Sequence, residues 1–138
     1  MGDVFTRMLE LVSQGFQCAQ LPLIFALESE EEENPALIRA MGGLNFGLGD
    51  TGGPCGALTG CCCLISYYAG KGDEIEMEDP AYKDMLSQFS SWFRVQHGSQ
   101  ICTELIGGDM KNTTIRCPDI MHTSYLKALE ILQKNGVI

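Results

Sequence analysis

Four of the seven cysteines in this chain stand where a helix is expected to begin, and two of those four adjoin a proline. Proline lacks the N–H that an interior helical position must donate and is best tolerated in a first turn, so the prolines mark helix starts independently of the cysteines. Pro54 suits a first helical position with Gly53 as its cap. Cys55 then falls in the first turn of a helix over 55–69, which Gly70 and Gly72 stop. Cys117-Pro118-Asp119 reads as N-cap, first-position proline and dipole-complementing acid, opening a last helix to about Lys134 before Gly136. Pro22 belongs to the first turn of an apolar helix over 21–27, which puts Cys18 at or just before its mouth. Ser99 caps a short helix over 100–106, with Cys102 in the first turn and Gly107-Gly108 beyond.

The remaining pattern is helical too. Val4, Phe5, Met8, Leu9, Leu11, Val12 and Phe16 recur at helical spacing and predict a first helix ending near Gly15. Residues 35–41 predict a short helix, residues 42–56 a glycine-rich irregular stretch. Pro80 opens a long amphipathic helix through Met85, Leu86, Phe89, Trp92, Phe93 and Val95, closed by Gly98. No run of alternating β-branched residues competes. With 138 residues and 45% apolar content the chain can bury one core, so residues 1–138 read as a single all-α domain. The expected architecture is a compact bundle of five to six helices with a Gly-rich loop before the central one.

A net charge of −9, with no cluster of Lys or Arg to override it, repels phosphate backbones and anionic lipid, which disfavours nucleic-acid binding. Glu28 and Glu30 to Glu33 concentrate much of that charge and read as a solvated loop between helices. The longest weakly polar run, residues 56–70, is about 15 long against the roughly 20 that span a bilayer, so no membrane insertion is expected. The N-terminal residues show no basic flank ahead of an apolar stretch. Those features predict a cytoplasmic protein whose thiols are reduced, metal-bound or redox-cycling, not a disulfide scaffold.

A helix N-terminus carries about half a unit of positive charge and unpaired N–H groups, so a thiol placed there is expected to be held as thiolate, the form that attacks disulfides and ligates metals. Gly56 and Gly60 share one helical face and would let another backbone approach closely. Cys61, Cys62 and Cys63 lie outside the four-cysteine pattern and read as small core residues. Cys62, seven residues beyond Cys55, faces the same way, but about 1.5 Å of rise per residue puts it too far off for a direct disulfide. Gly47-Leu48-Gly49-Asp50-Thr51-Gly52 satisfies GxGxxG, yet no strand precedes it, which argues against nucleotide binding. His97, five before Cys102, and His122, five after Cys117, are candidate proton donors or substitute ligands; Glu104 and Asp119 are candidates for proton traffic. Each also has an ordinary reading as a structural or surface group.

Cys18 in Gly-Phe-Gln-Cys-Ala-Gln, Cys55 in Cys-Gly-Ala-Leu-Thr-Gly, Cys102 in Ile-Cys-Thr-Glu-Leu-Ile-Gly and Cys117 before a final helix together resemble the redox-active protein family named for its C, CGAxxG, C, C pattern. The likeness covers nearly the whole chain. It implies a small, largely helical protein in which Cys18, Cys55, Cys102 and Cys117 form a redox centre. A similar domain precedes the haem-bearing part of split-Soret cytochromes, where the corresponding cysteines are associated with an iron–sulfur cluster. There is no CxxCH here, so covalent haem is not implied.

Three readings of the centre stay open at this point. The first is an iron–sulfur cluster, most simply [2Fe–2S], held by the four thiolates, since a bound cluster relieves the repulsion among them. Spacings of 37, 47 and 15 residues match no ferredoxin pattern, so folding must bring the ligands together. The second is thiol–disulfide chemistry with Cys55 attacking and no metal. The third is a structural zinc site or plain packing, against which the lack of a short-spaced ligand pair counts. Either redox reading implies a partner protein as electron donor or acceptor, and Trp92 and Phe93 offer a surface on which two copies could pair.

Overall fold

The computed structural model describes residues 4–138, Met110 and Thr114 by their backbone alone. Seven right-handed α-helices occur among them: α1 Val4–Ser13, α2 Leu21–Ser29, α3 Pro35–Met41, α4 Gly56–Ala69, α5 Tyr82–His97, α6 Cys102–Leu105 and α7 Thr113–Lys134. There is no strand among the described residues, and the all-α expectation holds. Because α3 and α6 run for only two turns and one, five helices make the body of the bundle.

The helix ends follow their local chemistry. Asn34 caps α3 by accepting from the Leu37 N–H at 3.1 Å, with Pro35 in the position that needs no donor. Gly98 closes α5 in the left-handed conformation, φ +86°, and its N–H returns to the Arg94 carbonyl at 2.9 Å. Pro80 does not open that helix itself. Asp79 turns the chain by accepting from the Ala81 N–H at 2.8 Å, and the helix starts at Tyr82.

Helix α4 is the hub, packed against α2, α5 and α7, with α1 lying on α7. Residues 21–27 of α2 are buried all round, which explains why that segment carries no polar face. Leu64 and Ile65 of α4, Met85, Phe89 and Phe93 of α5, and Ala128 and Leu132 of α7 are wholly shielded from solvent. Phe93, expected on a pairing surface, therefore belongs to the core, and Trp92 packs at 5.7 Å against Phe89. Glu30 to Glu33 are exposed, as the solvated-loop reading requires.

The start of the last helix differs from the expectation. Cys117 is not an N-cap: α7 begins at Thr113, so Cys117 is its fifth residue and Pro118 lies inside the helix. Asp109 nucleates the earlier start. Its carboxylate accepts from the Lys111 N–H at 2.9 Å, its carbonyl from the Asn112 N–H at 3.0 Å, and the Asn112 amide ties back to the Ile106 carbonyl at 2.7 Å. Proline forfeits one hydrogen bond at this depth, and the chain accepts that cost to carry Cys117 one turn into the helix.

Candidate functional site

The Cys-Gly-Ala-x-x-Gly segment joins Cys18 to Cys55. Cys55 is the N-cap of α4, and Gly56 and Gly60 on its first turns face the Cys18-Ala19 backbone. A Cβ on Gly60 would stand 2.7 Å from the Ala19 carbonyl oxygen, and one on Gly56 would collide with the Cys18 sulfur. Only glycine at both positions lets the Cys18 loop lie on the helix, as the close-approach reading expects.

Cys55 meets Cys102 through main chain. Pro54 and Ile101 form an isolated antiparallel bridge: the Cys55 N–H donates to the Gln100 carbonyl at 2.7 Å and the Cys102 N–H to the Gly53 carbonyl at 3.1 Å. Cys102 lies in the first turn of α6 as the sequence suggested, but the helix starts at Cys102 and not at Gln100, with Ile101 at the N-cap, because Ser99 accepts instead from the Ile101 N–H at 3.0 Å.

A left-handed turn inside the glycine-rich stretch completes the frame, and it runs through residues other than glycine. Within Asn45–Asp50 the residues Phe46, Gly47, Leu48, Gly49 and Asp50 all have φ between +54° and +77°. Three of them carry a Cβ, and a left-handed conformation costs such a residue about 1–2 kcal/mol. The surroundings hold the turn in place. Asn45 Oδ1 accepts from the Ala19 N–H at 2.9 Å, Gly47 sits where a Cβ would meet the Cys102 Cβ at 2.8 Å, and the Gly47 carbonyl accepts from Gly53 at 3.1 Å. The Gly47–Gly52 stretch thus serves as this turn, not as a nucleotide loop. Its function was hidden because GxGxxG names glycines but not the conformation of the residues between them.

Cys117 approaches from α7. It shares with Cys18 the wall of a half-open cavity of about 320 Å³ that also touches Phe46 and Pro118. The four thiols sense one another: Cys55 feels Cys18 and Cys117, Cys102 feels Cys18, and Cys117 feels both Cys18 and Cys102. Folding therefore gathers all four residues at one end of the bundle.

Their electrostatics overturn the expectation of thiolates. Burial pushes the Cys55 thiol up to about 12, against which the Ala57 and Leu58 N–H groups pull down and the neighbouring cysteines push further up. In this geometry neither N–H closes a full capping hydrogen bond, so they act as oriented dipoles. Burial, with Cys18 and Cys102, lifts Cys117 to about 11. Cys18 is raised by burial although the N–H groups of Phe46, Ala19, Gly56 and Cys18 itself oppose it; Cys102 is raised by burial, Cys18 and Asp50. Helix ends do aim N–H groups at sulfur, but desolvation is the larger effect, and without a bound cation these are neutral thiols.

The other candidates are not drawn in. His97 packs edge-on against Phe93 at 4.6 Å, its Nε2 is buried without a hydrogen-bond partner, and burial lowers its pKa. His122 lies on Phe5 at 5.4 Å. The Glu104 carboxylate accepts from Ser99, and Asp119 faces His97. Cys61 is fully buried in the core, with Cys62 and Cys63 half-buried around it, in line with the packing reading. Cys61, not Cys62, is the one that senses Cys55. As an N-cap, Cys55 lies off the helical rotation by which the shared face was counted.

All seven cysteines are free, and among the described residues no three His, Cys, Asp or Glu side chains stand close enough to hold a single metal ion. No helix of the described residues is long and apolar enough to cross a membrane.

Fold and site together define a small helical protein that clusters four cysteines at one end of its bundle. Residues 16–131 match the family described as "Putative redox-active protein (C_GCAxxG_C_C)", and the chain belongs to that family. The family name writes Gly-Cys-Ala where this chain reads Cys55-Gly56-Ala57. No curated protein and no solved structure matches the chain.

Proposed function

We propose that Cys18, Cys55, Cys102 and Cys117 hold an iron–sulfur cluster, most simply [2Fe–2S], and that the protein passes electrons to or from a partner protein. The observation that carries this reading is a set of four neighbouring thiols, buried at Cys55 and Cys102 and half-buried at Cys18 and Cys117, that would repel one another as thiolates, with backbone N–H groups aimed at the sulfurs of Cys18 and Cys55. The donor set fits: thiolates are the ligands such clusters take, and a cluster spreads them over more than one iron, so the spacing need not suit a single ion. When bound, the cluster supplies one-electron redox chemistry. The chain contributes the rest. Burial excludes water, the N–H groups of Phe46, Gly56, Ala57 and Leu58 stabilise charge on sulfur and so favour the reduced form, and the glycines keep the ligand loops in register.

Thiol–disulfide chemistry is the second reading, favoured by seven free cysteines with no three-ligand group among the described residues. Against it stands the elevation of all four thiols, since nucleophilic cysteines are ones whose pKa is depressed. Anaerobic purification followed by a visible spectrum and analysis of iron, sulfide and zinc, on the wild type and on Cys55→Ser, separates the two. Stoichiometric iron and sulfide with visible absorption, lost in the variant, support the cluster. A colourless protein whose thiols titrate reversibly in a redox buffer moves the assignment to dithiol chemistry, and zinc without redox response refutes both.

A further inference from the structure

The cavity of about 320 Å³ beside Cys18 and Cys117 has a chemistry of its own. Cys55 and Cys102 do not line it, so it lies to one side of the four-cysteine centre and not at its middle. Met8, Leu21, Phe46, Pro118 and Met121 form its walls, Leu9 and Val12 are its half-exposed apolar neighbours, and Gln17 and Thr113 are its polar lining. Among the described residues no Lys, Arg, His, Asp or Glu reaches it, which argues against phosphate-bearing cofactors, carboxylates and cations. The volume is at the lower end of the range for small-molecule sites, roughly 300–1,000 Å³, enough for one or two fused rings. Two methionines and a phenylalanine give polarisable and aromatic walls that suit a planar ring.

A second observation points to the same place. Phe46, in the wall, is one of the strained residues, with φ +54°. A bulky side chain held there at positive φ persists only where its surroundings demand it, and such strain gathers at functional sites. The left-handed turn sets Phe46 in the cavity lining while its N–H faces the Cys18 sulfur. One residue thereby couples the cavity to the centre.

We propose that this cavity binds a neutral, phosphate-free aromatic redox molecule of the quinone class and presents it to Cys18 and Cys117 for electron exchange. The exchange rests on the redox reading of the four cysteines; the binding does not. With a one-electron cluster as donor, two reduced chains supply two electrons and solvent supplies two protons, and the quinone leaves as hydroquinone. In a metal-free protein two thiols closing to a disulfide supply both electrons and both protons.

The test uses the full chain, reduced and anaerobic, with tetramethyl-1,4-benzoquinone, whose blocked ring carbons prevent thiol addition, and with the redox-inert 1,4-dimethoxytetramethylbenzene. Calorimetry reads binding of the inert ring; absorbance reads quinone reduction. Leu9→Arg, at a site 46% exposed and therefore safe for folding, places a charge at the cavity, while Ile75→Arg, 87% exposed and outside it, is the control. The expected result is saturable binding of the inert ring that weakens about tenfold or more in Leu9→Arg but not in Ile75→Arg. Quinone reduction should slow in step. Absence of saturable binding, or binding indifferent to Leu9→Arg, overturns the site. Binding that weakens while both proteins reduce the quinone equally fast overturns its role in exchange. Iron and sulfide analysis of the same samples reads the cluster separately, so loss of the cluster reading leaves the binding result intact.

Discussion

Around the middle of α4 the helices meet through Leu64, Ile65, Phe89, Phe93 and Leu132, whereas at its N-terminal end they meet through glycines, main chain and sulfur. The middle is held by apolar area, about 1.5–3 kcal/mol for each large side chain removed from water. The cysteine end buries apolar side chains too, Met8, Leu21 and Met121 among them, but its segments also meet main chain to main chain. It is held by hydrogen bonds such as Cys55 to Gln100 and Ala19 to Asn45, and it stores strain in Phe46, Leu48 and Asp50. A bundle can carry a reactive, desolvated and strained end when the remainder of its length is stabilised independently.

That contrast can be broken at either end. Phe89→Ala, a wholly buried deletion, should cost about 3–5 kcal/mol in urea unfolding and leave the thiol pKa values of the folded protein unchanged. Gly60→Ala should cost about 1–3 kcal/mol, because the new Cβ meets the Ala19 main chain and no flexible side chain can yield. Unlike the core variant it should also loosen Cys18, raising its alkylation rate in the folded protein. A Gly60→Ala protein of unchanged stability and reactivity would refute the close-approach account of the motif.

The thiols themselves make the protein sensitive to base. In the metal-free reduced protein Cys55 is raised from an ordinary 9.0 to about 12 and Cys117 to about 11. An unfolded chain would lose those protons first. Stability is therefore complete well below pH 9 and is lost as pH rises from 9 through 11 and 12, by about 1.4 kcal/mol for Cys55 at pH 10. Melting curves at pH 7, 9 and 10 check this, and Cys55→Ser should flatten the fall. A thiol fixed by a cluster would not show it.

Smaller effects sharpen the picture. Asp50→Gly removes a side chain from a positive φ and should stabilise by up to about 1 kcal/mol, net of the extra freedom of glycine in the unfolded chain. The same change removes the charge that raises Cys102, so that thiol should titrate lower. Arg7→Ala breaks the exposed pair with Glu28 and should shift stability by no more than about 0.5 kcal/mol.

The cysteine end also separates what was legible in the sequence from what was not. Gly70 ends α4 as local rules predict, but its start falls later than Pro54 promised, with Cys55 and not Gly53 as N-cap because Pro54 is drawn into the bridge with Ile101; Gly56 with Gly60 announced a close approach that the Ala19 main chain fulfils. Cys117-Pro118 obeyed the same rules on paper and misled, because a turn at Asp109, eight residues before Cys117, started the helix early. Asn45 and Phe46 gave no signal, since a left-handed turn of residues bearing side chains has no propensity of its own.

By itself the sequence determined the all-α class, the order of the helices, the four cysteines of the family pattern and the glycines that let Cys18 and Cys55 approach, because periodicity, capping and proline geometry act over a few residues. Tertiary structure decided that backbone N–H groups face the sulfurs of Cys18 and Cys55, that desolvation outweighs the helix ends at the sulfurs, and that a cavity opens beside only two of the four. Those depend on the low dielectric and the exclusion of water that arise when segments distant in sequence pack together, and no local pattern records them.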